Sequence, residues 1–225
     1  MALNIVNQID KDVKINNVLI SVSNKKGLDH FVKSLLDINK DIKFYSTGGT
    51  YEFIKELIGT DNLVAVSDYT GQPEMQGGLV KTLDFKIYMG LLSETYNDAH
   101  QDDLKRVNGI NFDLVAVNLY PFNETVNSPE CTVEIGRTNI DIGGPCMLRA
   151  SAKNFLRVLS LCNPDDYPSI IDELNNINGR IALSTRFIMA EKTFQHTADY
   201  DKSIHEFLKK SSLKELMNCY NEGRD

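Results

Sequence analysis

The sequence predicts an α/β fold, a parallel sheet flanked by helices, with a helical C-terminal appendage. Three observations carry this. Short β-branched runs alternate with stretches of helical apolar spacing through the first half of the chain. Polar or glycine-bearing turns join each strand to the next helix, the order that gives right-handed parallel crossovers. The last third carries helical periodicity over long segments.

The first strand is Val18 to Val22, bounded by polar residues. After the turn 23–27 comes a helix over Leu28 to Ile38, apolar at 28, 31, 32, 35, 36 and 38. Ile42 to Tyr45 reads as the second strand, Tyr51 to Ile58 as the second helix and Leu63 to Val66 as the third strand. Ser67 to Gly78 holds Gly71, Pro73, Gly77 and Gly78 and reads as a loop. Val80 to Leu92 is expected to be helical in part. Leu114 to Val117 is a buried-strand pattern, and the chain must leave the sheet after it because Pro121 lacks a ladder N–H. A glycine turn, Ile140 to Pro145, opens a helix from Cys146 to Lys153, followed by a strand at Val158 to Leu161. Asp165 to Leu174 and Thr185 to Lys210 read as helices. Residues 1–16 are expected to be an N-terminal tail, 17–225 one domain, and about 165–225 its helical appendage.

Composition removes several function classes. The 225 residues are 42% hydrophobic and 24% charged, ordinary for a packed globular chain. Lys and Arg total 24 against 31 Asp and Glu, a net charge of −7, which disfavours nucleic-acid binding that depends on neutralising phosphates. No apolar run reaches the roughly 18 residues of a membrane span, and the N-terminus lacks a signal-peptide core. A cytoplasmic location is the expectation. Cys131, Cys146, Cys162 and Cys219 form no CxxC, and His30, His100, His196 and His205 form no HxxxH or HExxH, so no metal site is expected.

Two turns stand where α/β proteins bind ligands, at the carboxyl ends of parallel strands. They are Ser21-Val22-Ser23-Asn24-Lys25 and Ser46-Thr47-Gly48-Gly49-Thr50. Each joins a strand to a helix, so backbone N–H groups and hydroxyls face one space, and Lys25 adds charge; this suits a phosphate. Helix capping by Ser and Thr is the structural alternative. Neither turn is a P-loop or a GxGxxG. Lys81 and Lys153 adjoin glycine turns and apolar stretches, and such lysines can orient substrate oxygens or relay protons. Tyr120 and Asp141 are further candidates, with packing and capping as their structural alternatives. Cys146 starts a helix, which would lower a thiol pKa, but it has no histidine near it in sequence.

Taken together these segments resemble the IMP cyclohydrolase domain family of the bifunctional AICAR transformylase/IMP cyclohydrolase proteins. The matching blocks include Ser21-Val22-Ser23, Ser46 to Thr50, Val80-Lys81-Thr82-Leu83, Asn118 to Phe122, Ile140 to Pro145, Ala152-Lys153-Asn154 and Phe194-Gln195-His196-Thr197-Ala198 with Tyr200-Asp201. The resemblance spans about residues 17 to 210. It implies a methylglyoxal-synthase-like fold and dehydrative ring closure of formyl-AICAR to IMP without a cofactor. It implies that Ser21, Ser23, Lys25, Ser46, Thr47, Gly48 and Gly49 hold the 5′-phosphate, with Asn118, Gly143 and Gly144 also at the substrate. Lys81 and Thr82 would orient the formyl group, and Tyr120, Asp141 and Lys153 would manage the carboxamide proton. Formyl transfer is not expected, because the chain stops where the transformylase domain would begin; a separate transformylase would supply it. A homodimer is expected, hiding the apolar face of Thr185–Lys210.

Departures from the family pattern are confined to a few positions. Leu79 replaces an arginine, Asp84 a histidine and Phe85 a proline; Tyr88 and Phe155 also replace histidines. Two further functions therefore stand beside cyclisation: an enzyme of the same fold acting on a changed nucleotide-like substrate, and a non-catalytic nucleotide-binding homologue.

Overall fold

The computed structural model describes residues 5–73, 80–221 and 223; Leu79 and the Gly77–Gly78 pair lie outside them. Five parallel strands form the central sheet in the order β4-β3-β2-β5-β6. They are β2 (Asn17–Val22), β3 (Lys43–Ser46), β4 (Leu63–Ala65), β5 (Leu114–Asn118) and β6 (Leu159–Leu161). The chain starts in the middle at β2, builds outward through β3 and β4, then returns to add β5 on the other side. The order therefore reverses between β2 and β5, where Ser21 pairs with Val117 and Val22 with Asn118. That junction is where open α/β sheets leave a crevice beyond the strand ends.

Alternation along the strands splits the core into two faces. Val18, Ile20, Val22, Phe44, Leu114 and Ala116 point to one face, packed by α1 (Leu28–Ile38), α2 (Gly48–Ile58) and α9 (Tyr167–Asn176). There Phe31 of α1 stacks on Tyr167 at 4.2 Å between ring centroids. Leu19, Tyr45, Val115 and Val117 point to the other face. It is covered by α3 (Val66–Thr70), α4 (Phe85–Leu92), α6 (Phe122–Val126), α8 (Gly143–Lys153) and the long α10 (Leu183–Lys210). The intervening α5 (Asp98–Arg106) is mostly polar and buries only Leu104. The helix α7 (Val133–Thr138) meets the last helix, α11 (Leu213–Met217). The parallel sheet and its flanking helices are as expected from the sequence.

Three expectations change. The region 1–16 is more than a tail, because β1 (Asp12–Lys14) pairs antiparallel with β7 (Arg180–Ala182). Arg186 reinforces the pairing: its fully buried guanidinium donates to the carbonyls of Asp10, Lys11, Phe155, Leu156 and Ile181. The segment read as a loop from Ser67 begins inside α3, closed by Gly71 in the left-handed region at φ 74°. The helix expected from Cys146 starts at Gly143, so both glycines of the turn belong to its first turn. Among the described residues no helix is long and apolar enough to cross a membrane.

Candidate functional site

The site forms where β2, β3 and β5 end. Asn118, the last residue of β5, fastens the turn after β2: its Oδ1 accepts from the backbone N–H groups of Ser23 at 2.7 Å and Asn24 at 2.9 Å, and its Nδ2 donates to Asn24 O at 2.8 Å. The Ser23 hydroxyl lies 2.9 Å from Asn118 Oδ1 and 2.8 Å from Leu119 O. The neighbouring turn is tied down by Thr50, whose hydroxyl lies 3.1 Å from Val22 N and 3.0 Å from Val22 O. Ser46 Oγ, fully buried, donates to Ile20 O at 2.8 Å. These contacts fix two strand-to-helix turns side by side. They also commit Ser46, Ser23 and Asn118, read from the sequence as substrate contacts, to bracing the backbone. Ser21 sits half-buried on the face of Leu19.

With the turns fixed, two cations meet one helix end. Thr47, the N-cap of α2, makes no side-chain capping bond to the helix; the first N–H groups and dipole of α2 favour an anion. A Cβ on Gly49 would stand 3.9 Å from Lys25 Nζ, and one on Gly48 would stand 3.3 Å from Lys81 Nζ. Gly48 holds φ +54°, a conformation that favours glycine, so the close approach and the backbone both call for it. Lys81, assigned by resemblance to the formyl group, thus lies at the anion turn.

The next residue, Thr82, is buried and reaches a second helix end. A Cβ on Gly143 would stand 2.8 Å from Thr82 Oγ1. At this end Asp141 Oδ1 accepts from Gly144 N at 2.9 Å, and Asp141 N donates to Tyr200 OH at 2.7 Å. Burial pushes the Asp141 carboxyl above the ordinary carboxylate range, and the Gly144 N–H only partly opposes it. A Cβ on Gly144 would displace the Asp141 carboxylate and the Leu119 side chain. Tyr120 is 55% exposed at the rim, close enough to Tyr200 to help raise its pKa, although burial is the main cause.

Lys153 is not brought here. It ends α8 while Asp141 precedes the start, and an 11-residue helix holds its ends about 16 Å apart. Its neighbour Asn154 donates to the carbonyls of Leu91 and Ser93, and Arg157 to Phe112 O, just before β5 begins. Lys153 therefore lies toward the amino ends of the strands, opposite the crevice.

A cleft of about 340 Å³ adjoins the anion turn, lined by Thr47, Ser67, Gln72, Lys81, Leu83 and Asp84 among others. Tyr200 is a supporting residue to which sequence reasoning gave no role, although it stands inside a quoted block, and Thr50, read with the phosphate turn, instead braces it. Ser67 and Gln72 were not read as site residues, and Asp84 was read only as a departure from the family pattern that could change the substrate.

Comparison with known proteins fits this arrangement. Residues 27–146 match the MGS-like domain model and residues 151–223 the AICARFT/IMPCHase bienzyme model. The bifunctional purine biosynthesis protein PurH of Prochlorococcus marinus (strain MIT 9211) is 45% identical over 192 residues, covering 85% of this chain and 36% of that protein. PurH of Thermoanaerobacter sp. (strain X514) is 46% identical over 190 residues, 84% of this chain and 36% of that protein. The chain thus spans about a third of the length of these relatives. A crystal structure of ForH superposes with a TM-score of 0.74 at 28% identity, over 86% of this chain and 99% of that one. The chain belongs to the MGS-like domain family.

Proposed function

We propose that the chain is an IMP cyclohydrolase, closing formyl-AICAR to IMP. The observation that carries this is the pair Lys81–Thr82, which links a doubly cationic helix end to a second helix end holding a carboxyl with a raised pKa. The first end suits a 5′-phosphate, and the second suits proton transfer. The relatives named PurH supply the substrate class for the reading.

In the reaction the carboxamide nitrogen attacks the formyl carbon of the same molecule, forming the C–N bond. That nitrogen gives up a proton, and the formyl oxygen gains one. The resulting hydroxyl then leaves as water as the formamido nitrogen loses its proton and the ring C=N forms. Lys25, Lys81 and the first amides of α2 hold the phosphate and so position the base. Asp141, ionised, takes the carboxamide proton. Thr82 Oγ1 donates to the developing oxyanion, and Tyr120 closes the rim. Because nucleophile and electrophile are tethered, holding them in a reactive orientation is a large part of the task. The chain assembles as a homodimer in the cytoplasm.

Supplying formyl-AICAR to the purified protein and following IMP by absorbance tests the reading. Accumulation of IMP that stops in Asp141→Asn supports it. Tight IMP binding without turnover would make the chain a nucleotide-binding homologue instead. One observation favours a changed nucleotide-like substrate: Asp84, where the family carries histidine, lines the cleft.

A further inference from the structure

The cleft beside the anion turn has a cation and an anion in its wall. Lys81 and Asp84 both line it, together with the neutral polar groups of Thr47, Ser67 and Gln72. Asp84 is fixed by its own helix: it is the N-cap of α4, and its Oδ1 accepts from Lys86 N at 2.8 Å. The nearest lysine in sequence is drawn elsewhere. Lys86 Nζ donates to Tyr69 O at 2.7 Å and lies 4.2 Å from the centroid of the Tyr69 ring. Among the described residues no lysine or arginine forms an ion pair with the Asp84 carboxylate.

A carboxylate held this way offers only acceptor lone pairs. It repels a second anionic group and rewards a ligand that presents O–H donors next to its phosphate. We infer that Asp84 is a specificity-determining residue that selects phosphate esters with free sugar hydroxyls, a ribonucleotide rather than its deoxy counterpart or one bearing a second anionic group. This rests on reading the α2 turn as a phosphate site, and it deepens that reading by naming what lies beyond the phosphate. A hydrogen bond from a hydroxyl to an ionised acceptor amounts to about tenfold or more in affinity.

The test is calorimetric titration of IMP, 2′,3′-dideoxy-IMP and inorganic phosphate into wild type, Asp84→Ser and Asp84→Asn. Serine and asparagine are both good N-caps, so α4 is kept in each variant. Serine replaces the carboxylate with a shorter neutral hydroxyl, whereas asparagine keeps a carbonyl acceptor of the same length without the charge. Wild type should bind IMP about tenfold or more tightly than the dideoxy analogue. Asp84→Ser should bind the two alike, with phosphate affinity unchanged within about twofold. Asp84→Asn should fall between. Wild type binding both nucleotides equally, or Asp84→Ser keeping the preference, overturns the inference while phosphate binding leaves the anion site standing. Wild type binding neither nucleotide nor phosphate overturns the anion site and this inference with it. If Asp84→Ser fails to fold, the wild-type and Asp84→Asn titrations still decide: no difference between them, in the ratio of the two nucleotides, overturns the inference.

Discussion

Lys25 and Lys81 reach one helix end from different parts of the chain, so a phosphate bound there would meet both charges together with the α2 amides. Their removal should weaken binding in ground state and transition state alike. Lys25→Ala and Lys81→Ala are each expected to raise KM for formyl-AICAR about tenfold or more with kcat within about threefold. A kcat loss in Lys81→Ala without a KM rise would return Lys81 to the reacting formyl group. Asp141 behaves differently. Burial raises its pKa, so folding disfavours its ionised form. The protonated carboxyl's contribution to stability is full at low pH and is lost as pH rises through the raised value. A base must be ionised, so turnover should fall on the acid side with a midpoint above the usual carboxylate range. Asp141→Asn, neutral at every pH, should lose on the order of a hundredfold in kcat, about 3 kcal/mol. It should melt no lower than wild type at pH 7. A melting loss at neutral pH, or an unshifted acid limb, would count against Asp141 as the base.

At the scale of elements, the strand-to-helix turns were legible because their chemistry is local. Gly48, Gly49 and Lys25 stand in sequence next to β-branched runs, and the helix Leu28–Ile38 is bounded as its apolar spacing indicates. Elements that take their stability from distant partners were not legible. Three-residue β1 and β7 exist because they pair with each other and are clasped by Arg186. The polar α5 shows almost no apolar stripe. At α8, two glycines with poor helix propensity hid a first turn that Asp141 caps. That first turn carries a testable consequence. In Gly144→Ala the new methyl group would push the Asp141 carboxylate off its N–H partner. Turnover should drop on the order of tenfold or more, whereas stability should change by only about 1 kcal/mol, because the Leu119 and Asp141 side chains can shift. Comparing thermal melting with turnover separates the two. The terminal helices offer a pH test. Glu134 of α7 is held down to about 2 by bonds from Arg137 and from the Tyr220 hydroxyl beyond α11. A lowered carboxyl supports the fold above its unfolded value and loses that support as pH falls toward the lowered one. Hydrogen-exchange protection in α11, taken relative to the intrinsic rate at each pH, should therefore fall between about pH 4.5 and pH 2, and Glu134→Gln should remove the dependence.

Across the whole molecule the two edges of the sheet have separate tasks. The carboxyl edge gathers Lys25, Lys81, Thr82 and Asp141. The amino edge is braced by the buried Arg157, which donates to Gly90 O and Phe112 O and pairs with Asp113 at 3.7 Å, while Asp113 accepts from Asn16 and Asn17. Lys153 sits with the second group, and its spacing from Asp141 along one helix already contained that answer. Next to it Phe155 packs edge-on against Phe187 at 5.2 Å, and Phe187 and Ile188 of α10 are both more than half exposed. A second copy seated on that face would lie beside Lys153, far from the crevice of the chain that carries it. Lys153→Ala is therefore expected to leave turnover within about threefold of wild type. A hundredfold loss would mean that the lysine acts in the crevice of a second copy. Mixing Lys153→Ala with Asp141→Asn would then restore activity, because one mixed site would carry both groups intact. Phe187→Glu, which puts a charge on the exposed face, should yield monomers by light scattering and leave rates unchanged under the first outcome. Under the second it should abolish them.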